Sequence, residues 1–189
     1  MGTMTGPPND IVDAAIDQAT RSPCAKSKRG VAIYVTDRRL IGGGRGGAIV
    51  GMGRNGPPPG ISCDSSERCR SSCRHRCEHA ESRALLWAMT RLDPYGLADF
   101  KSCDLVHVKI DDSGQLVAGG GPSCVPCAVR ILDVGLAGVW LYELGVPSNE
   151  LRDATQKDIA VLMRPHWQRY IASEFHRISC QTNGVYLGS

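Results

Sequence analysis

The stretch CRHRCEHAESRALLWAM, residues 73–89, decides how this chain is interpreted. His79 and Glu81 are separated by a single alanine, and Cys77 lies two residues before the histidine. The apolar spacing that follows, in HAESRALLWAMTRL, predicts a helix that ends before Pro94. Histidine, cysteine and glutamate side chains at the start of a helix are groups that bind metal ions or carry protons.

The composition is that of a globular protein and argues against several classes of function. The 189 residues are enough for one domain with a real core, and 42% hydrophobic and 22% charged residues are ordinary values. A net charge of +3 and 5% aromatic residues are too low to argue for nucleic-acid binding. The first residues lack a signal-peptide pattern, and no segment approaches the roughly 20 apolar residues that cross a bilayer. We therefore expect a cytoplasmic protein without a membrane partner.

The cysteines are numerous and unevenly placed. There are nine, of which four crowd into residues 63–77 and two form the pair CVPC at 124–127. Because no signal sequence is seen, metal ligation or catalysis is a better explanation for them than a disulfide framework.

The order of predicted elements indicates an α/β domain. Strands are expected in GVAIYVTD, AIVGMG, CDLVHVKI and AGVWLYE, the first two as a hairpin. A first helix is expected in NDIVDAAIDQATRS, with Asn9 or Asp10 as its N-cap, and a second after His79. A third is expected in PSCVPCAVRILDVG, where Gly135 would end it. Two more are expected in NELRDATQKDIAVLM and from Pro165 to about Phe175. Alternating strands and helices predict a mixed or parallel sheet covered by helices.

A glycine motif near the second strand is a misleading signal. Gly42, Gly44 and Gly47 satisfy G-x-G-x-x-G, but the next residues predict a strand and not the helix that a dinucleotide site requires. We interpret this segment as a hairpin turn.

A three-ligand metal site is the stronger prediction. Cys124 and Cys127 are three residues apart at the start of a helix, so both sulfurs face one side, and the helix N-terminus favours their thiolates. His79 adds a nitrogen from a second helix. Three protein ligands leave the fourth position of a zinc ion to water, as in catalytic sites, and Glu81 is then available as a proton carrier.

These motifs resemble the cytidine/deoxycytidylate deaminase superfamily, and among its branches the dCMP deaminases most. CEHAESRAL and GPSCVPCAVRILDVGLAGVWLYE are similar to the two zinc-ligand helices of that family, whose signature is H-x-E with P-C-x-x-C. The sequence departs from it in placing Ser123 between the proline and Cys124. GVAIYV through GMGRNGPPPG looks like the first two strands and their G-x-N-G turn. The resemblance covers about residues 10–145, and a helical extension follows at about 146–189.

The resemblance implies a fold, a reaction and a set of site residues. It implies a single domain over residues 1–189, a three-layer α/β/α fold with a central mixed five-stranded sheet, and a homo-oligomer. His79, Cys124 and Cys127 would hold a catalytic zinc ion, and Glu81 would carry protons during hydrolytic deamination of a cytosine-type base. Asn55 and Ala80 would bind the substrate. A closed structural zinc site with Cys77 as the fourth ligand is the alternative, although it leaves Glu81 without a role.

A second metal site is also conceivable in the loop before His79. Its spacing is not that of a standard zinc ribbon, but some dCMP deaminases carry an extra zinc near this loop; the candidate ligands are Cys63, Cys69, Cys73, His75 and Cys77. Reduced cysteines in a surface loop are the alternative. The four arginines of the same loop would either clamp a nucleotide phosphate or simply be solvated; they are Arg68, Arg70, Arg74 and Arg76.

The remaining histidines and cysteines receive no functional role from the sequence. We interpret His107, His166 and His176 as ordinary strand or helix residues. Cys24, Cys103 and Cys180 are expected to be small buried hydrophobes.

The favoured reaction is the conversion of dCMP to dUMP with release of ammonia. This choice rests on the G-x-N-G turn and on the arginines near the site. Rival functions are a deaminase acting on DNA or RNA, a deaminase of a modified or purine base, and, from a different class, a zinc-stabilised binding module without activity. The first would require a basic groove with exposed aromatic residues, of which the sequence offers little.

Overall fold

A computed structural model of the chain describes residues 6–36, 48–64, 66–67, 77–92, 100–119, 124–144 and 165–182. Within these ranges the helices are α1 (Asn9–Thr20), α2 (Ala80–Leu92), α3 (Val125–Asp133) and α4 (Ala172–Thr182). The strands are β1 (Lys28–Val35), β2 (Ile49–Arg54), β3 (Cys103–Ile110), β4 (Leu116–Val117), β5 (Gly138–Leu144) and β6 (Pro165–Ile171). No helix in the described ranges combines the length and apolarity of a membrane span.

The strands form one mixed sheet in the order β2-β1-β3-β5-β6, with β4 paired to β3. β1 runs antiparallel to both β2 and β3, while β3 and β5 are parallel and are connected through α3. β6 closes the far edge antiparallel to β5. The predicted mixed α/β sheet and the hairpin of its first two strands are confirmed, and the described residues contribute six strands to the sheet in place of the predicted five.

Alternation of side chains along the strands creates two apolar faces and therefore three layers. On one face, Val31, Ile33 and Leu105 pack with residues of α2, α3 and α4. On the other face, Ala32 and Val106 pack against α1. Helices thus cover both sides of the sheet, and α2 and α3 lie side by side on the same side.

The structure corrects three local predictions. Residues 165–171, predicted to be helical after Pro165, form the edge strand β6, and the helix begins only at Ala172. Proline suits the first position of a helix and of an edge strand alike, so the local signal was ambiguous. The N-cap of α1 is Pro8 and not Asn9 or Asp10. The sequence predicts no strand directly after β3, yet the short strand β4 lies there. The helix predicted over residues 149–163 lies outside the described residues.

An ionic cluster around one buried carboxylate holds the edge strand β6 to the centre of the sheet. Asp104 on β3 accepts hydrogen bonds from Arg169 Nε at 2.7 Å and from Arg169 Nη2 at 2.8 Å. Trp140 on the intervening strand donates its indole N–H to the same carboxylate at 2.9 Å. The cluster therefore ties three neighbouring strands together through one buried carboxylate.

We predict that Arg169→Met destabilises the protein by roughly 1–3 kcal/mol, because the buried Asp104 carboxylate would keep only its bond from Trp140, while the guanidinium that is lost is itself partly solvated. Urea unfolding would measure the loss. The control is Arg177→Met, which removes an exposed arginine that contacts Gln181 within α4 and should change stability by less than about 0.5 kcal/mol. Equal unfolding midpoints for the two variants would contradict the prediction.

Candidate functional site

The helix beginnings of α2 and α3 meet on one face of the sheet and bring three predicted ligands together. His79 Nδ1 lies 3.1 Å from Cys124 Sγ and 3.4 Å from Cys127 Sγ. The ligand atoms of the three residues all lie within 4.8 Å of one another. His79 and the two cysteines are 45 and more positions apart in the sequence, so only the tertiary fold creates this cluster.

Both helices begin at a residue of the cluster. The His79 carbonyl accepts the N–H of Arg83 at 3.2 Å, which is the first helical bond of α2. Cys124 is the N-cap of α3 in an extended conformation, and its carbonyl accepts the N–H groups of Cys127 and Ala128. The positive ends of two helix dipoles therefore point at the sulfurs, which stabilises thiolates.

The protonation of the three groups follows from their contacts. The hydrogen bond from Cys127, with additional hydrogen bonding to His79, lowers the pKa of Cys124 to about 5. The same bond to Cys124 raises the pKa of Cys127, because its proton is held between the two sulfurs. Hydrogen bonding to Cys124 also raises the pKa of His79 above its ordinary value. A thiolate is thus present in the cluster at neutral pH.

The donor set fits zinc in chemistry and in spacing. Tetrahedral zinc with sulfur and nitrogen ligands has sulfur–nitrogen separations of about 3.6 Å. The Cys127 sulfur, at 3.4 Å from His79 Nδ1, is near this value, and the Cys124 sulfur, at 3.1 Å, would move outward by a few tenths of an ångström when zinc binds. Among the described residues, no other histidine, cysteine, aspartate or glutamate offers a ligand atom within 4.8 Å of all three, and this includes Cys77 and Glu81. The described residues therefore supply the three-ligand set that is typical of a catalytic zinc site, and they give no support to Cys77 as a fourth ligand.

Glu81 lies beside the cluster without belonging to it. It is in the first turn of α2, and only 4% of its surface is exposed. Its charge raises the pKa of both His79 and Cys127, which places it within electrostatic reach of the cluster. The structure thus puts a carboxylate next to the predicted metal ligands while leaving it outside their immediate set.

A second layer of polar groups surrounds Cys127. Ser82, the residue after Glu81, has its Oγ 3.8 Å from Cys127 Sγ. The same hydroxyl accepts a hydrogen bond of 2.5 Å from Arg130 of α3. Because the arginine can only donate, the serine proton is available to the Cys127 sulfur, and this contact opposes the larger effect of Cys124 on the pKa of Cys127.

The predicted substrate contact Asn55 lies in a loop that is tied to the site. The next residue, Gly56, exchanges two backbone hydrogen bonds with Glu78, at 3.0 and 3.1 Å, immediately before His79. The Asn55 side chain accepts bonds from Ser22 Oγ and the Arg29 N–H and donates to the Ser27 carbonyl. The second N–H of the Asn55 amide takes part in none of these three hydrogen bonds. Asn55 therefore has a structural task at the rim of the site, and its role toward a substrate stays a prediction.

The other predicted site residues divide into two groups. Ala80 is buried as the first residue of α2, between His79 and Glu81, and its substrate-binding role also stays a prediction. Cys63 and Cys77 are partly buried, and the second metal site stays a prediction. The remaining residues predicted for that site or for a phosphate clamp lie outside the described residues; they are Cys69, Cys73, His75, Arg68, Arg70, Arg74 and Arg76.

Three polar residues around the site were not predicted from the sequence. His107 of β3 lies with its Nδ1 3.7 Å from Glu81 Oε1, and Arg29 of β1 lies with its Nη1 3.4 Å from His107 Nε2. Arg83 donates to the carbonyls of Arg54, Gly56 and Pro57 and so holds the Asn55 loop against α2. A histidine in the otherwise apolar centre of CDLVHVKI was the available signal for the first of them.

Close packing against the sheet fixes the position of the first turn of α2. A Cβ atom added to Gly53 of β2 would collide with the carbonyl oxygen of Ala80 and lie 2.6 Å from the Ala84 nitrogen. Only glycine leaves room for the helix backbone to approach this closely. Because Ala80 lies between His79 and Glu81, the close contact at Gly53 fixes the distance of both functional side chains from the sheet.

We predict that Gly53→Ala destabilises the protein by roughly 1–3 kcal/mol and lowers the amount of bound zinc, because α2 must move away from β2. Chemical denaturation and zinc analysis of the purified variant would measure both effects. The control is Gly114→Asn in an open turn at φ 82°, a left-handed conformation that asparagine tolerates. Full zinc content and unchanged stability in Gly53→Ala would contradict the prediction.

Comparison with known proteins gives only remote structural similarities. No protein-family model matches this sequence, and no curated protein matches it significantly. A cytidine deaminase from Burkholderia pseudomallei is similar at 17% identity over 88% of this chain and 94% of its own, with a TM-score of 0.49. A dCMP deaminase from the cyanophage S-TIM5 in apo form is similar at 18% identity over 69% of this chain and 78% of its own, with a TM-score of 0.45. At these values the similarities do not identify the reaction, and the function proposed next rests on the site itself.

Proposed function

We propose that this chain catalyses the zinc-dependent hydrolytic deamination of a cytosine-type base in a free nucleoside or nucleotide. The observation that carries the proposal is the cluster of His79, Cys124 and Cys127 with the buried carboxylate of Glu81 beside it. A binding module stabilised by zinc would have no use for a buried carboxylate next to a three-ligand site, because burying that charge is costly.

Each residue of the site has a defined task in this reaction. A zinc ion held by His79, Cys124 and Cys127 would lower the pKa of a bound water molecule toward about 7. Glu81 takes one proton from water and delivers it to the ring nitrogen of the base, which makes the adjacent C4 carbon more electrophilic, and the hydroxide that remains forms a bond to C4. Glu81 then takes the proton of that hydroxyl group and passes it to the amino group, the C4–N bond breaks, ammonia leaves, and the oxygen stays as the C4 carbonyl of the uracil form. Asn55 and Ala80 are proposed to bind the sugar and base.

Within this class, dCMP is our first choice of substrate. The preference is supported by the sequence: GRNG at 53–56 resembles the sugar-contacting turn of dCMP deaminases. Arginines before His79 would provide charge for a phosphate; these are Arg68, Arg70, Arg74 and Arg76. The choice of dCMP among the cytosine nucleosides and nucleotides rests on these residues, and a comparison of substrates tests it directly.

The test is an ammonia-release screen of the zinc-loaded protein. The substrates are cytosine, cytidine, deoxycytidine, dCMP, dCTP, adenosine, guanine and single-stranded DNA. We expect activity on cytosine nucleosides or nucleotides, highest on dCMP. Activity on single-stranded DNA alone, or on a purine alone, would replace the proposed substrate class with one of its rivals. Silence toward every substrate, at one zinc per chain, would favour the binding module.

We also propose a second, structural zinc ion near the loop before His79. Its candidate ligands are Cys63, Cys69, Cys73, His75 and Cys77. Sulfur and nitrogen donors of this kind are typical of structural zinc sites. Zinc analysis of the purified protein decides the question: two ions per chain support the second site, and one ion removes it.

The proposed setting is a homo-oligomer in the cytoplasm. Leu86, Met89 and Leu132 are exposed apolar side chains on α2 and α3, and Leu86 exposes 66% of its surface. Burial of such side chains against another copy would remove them from water. Among the described residues, Cys24, Cys124, Cys127 and Cys180 form no disulfide, which suits a reducing compartment. Light scattering of the purified protein would test the oligomeric state.

A further inference from the structure

A row of three polar side chains leads from the proposed proton carrier into the sheet. His107 projects from β3 toward the side covered by α2, and its Nδ1 lies 3.7 Å from Glu81 Oε1. On the opposite side of the imidazole, Arg29 Nη1 lies 3.4 Å from Nε2. Glu81 and His107 are almost completely buried, with 4% and 5% of their surfaces exposed. The carboxylate and the imidazole therefore lie within the protein, while Arg29 is partly buried.

Arg29 is held beside His107 by further hydrogen bonds. Arg29 Nη2 donates to the Gly119 carbonyl at 3.2 Å, and its Nε donates to Ser27 Oγ at 3.1 Å. Its backbone N–H donates to the side chain of Asn55. The guanidinium is thereby fixed both to the loop after β4 and to the segment before β1, so its position relative to His107 is set by the fold.

The chemistry of these groups determines the tautomer of the histidine. A guanidinium group has no acceptor, so Nε2 of His107 must accept and cannot carry a proton. In a neutral imidazole the proton is then on Nδ1, the nitrogen that faces Glu81. Burial lowers the pKa of His107 to about 4, so the ring is neutral at physiological pH. The carboxylate of Glu81 thus faces an N–H group, with the positive charge of Arg29 behind it.

The presence of these groups in a strand core needs a reason beyond packing. The neighbours of His107 along β3 are Val106 and Val108, both buried, and a leucine would fill the same position without a polar group to satisfy. Holding a carboxylate in one orientation is a task that an apolar side chain cannot perform. A misplacement of about 1 Å in a reacting group can cost about 100-fold in rate.

We propose that His107, held by Arg29 as its Nδ1–H tautomer, is a positioning residue that orients the Glu81 carboxylate for proton transfer. The inference rests on the proposed function of the site, since it assigns the proton carrier a partner. It concerns the reaction and not the binding of substrate, because His107 lies behind Glu81 within the sheet.

The kinetic test compares two variants at the same position. His107→Leu removes the N–H group and should lower kcat about 100-fold while KM changes less than about threefold, since proton transfer and not binding is affected. His107→Asn places an amide N–H near the position of Nδ1 and should recover most of the lost rate. Zinc content should equal that of the wild type in both. Wild-type kcat in the Leu variant, or no recovery in the Asn variant at full zinc content, would overturn the proposal.

A spectroscopic test on the unmodified protein does not depend on activity. Two-bond ¹⁵N–¹H correlation spectra of protein labelled with ¹⁵N-histidine distinguish the Nδ1–H and Nε2–H tautomers, and His107→Asn identifies the signal. We expect a neutral ring protonated on Nδ1. A ring protonated on Nε2 would overturn the positioning role even if the protein deaminates cytosine nucleotides. Conversely, an Nδ1–H ring in a protein that releases no ammonia would leave the geometry standing while the proposed function fails.

Discussion

Replacing Glu81 by glutamine should lower kcat for deamination by roughly 10²–10⁴-fold, because the amide cannot carry a proton between water and the base. The zinc content should stay at the wild-type value, since Glu81 lies outside the cluster of His79, Cys124 and Cys127. Steady-state ammonia release on the substrate found in the screen, with zinc analysis of the same preparation, would measure both quantities.

The matched control for this change is Glu174→Gln. Glu174 is an exposed carboxylate in the first turn of α4, so the same substitution there should leave kcat and zinc content unchanged. If Glu81→Gln were as active as Glu174→Gln, Glu81 would have no role in proton transfer and the proposed mechanism would be wrong.

Removal of one buried thiol should abolish both zinc binding and activity. Cys127→Ala takes away a ligand atom that lies 3.4 Å from His79 Nδ1, and a site with two protein ligands holds zinc far more weakly. The zinc content should fall by one ion per chain, and ammonia release should become undetectable. Zinc analysis also separates the catalytic ion from the proposed second one, which should remain bound in this variant.

Thermal unfolding gives this prediction a readout that is independent of activity. A ligand that binds only the folded state stabilises it by roughly 4 kcal/mol when its free concentration exceeds Kd a thousandfold. Zinc should therefore raise the Tm of the wild type, and the increase should be smaller in Cys127→Ala.

The control is Cys180→Ala, which removes another buried thiol, on α4 and away from the cluster. It should retain the wild-type zinc content and the wild-type rise of Tm with zinc. Equal responses to zinc in Cys127→Ala and Cys180→Ala would exclude Cys127 as a ligand.

Local patterns sufficed for most of the secondary structure. The helix α1, the start of α2 after His79 and the end of α3 before Gly135 were all predicted from spacing and terminal residues. Gly135 has a φ of 76°, the left-handed conformation that ends many helices. These features depend on residues within one or two turns of each other. For this reason they can be predicted from the sequence alone.

The edge strand β6 shows where local patterns fail. PHWQRYI has a proline at its start and few apolar residues, which also fits the first turns of a helix. Its strand conformation comes from pairing with β5 along its whole length and from the bonds of Arg169 to Asp104, 65 residues away. Interactions between residues so far apart in the chain produce no periodic pattern in the sequence, so they cannot be predicted from it.

The sequence alone identifies the chemical groups of the site: His79 with Glu81 at one helix start, and Cys124 with Cys127 at another. Their spacing falls within one helical turn, so it carries information without a fold. The sequence does not predict that the two helix starts meet, or that Glu81 faces His107 with Arg29 on the other side of the imidazole; the tertiary structure shows both. The reason is physical: these partners come from separate strands and helices, and their contacts exist only after the sheet has brought those elements together.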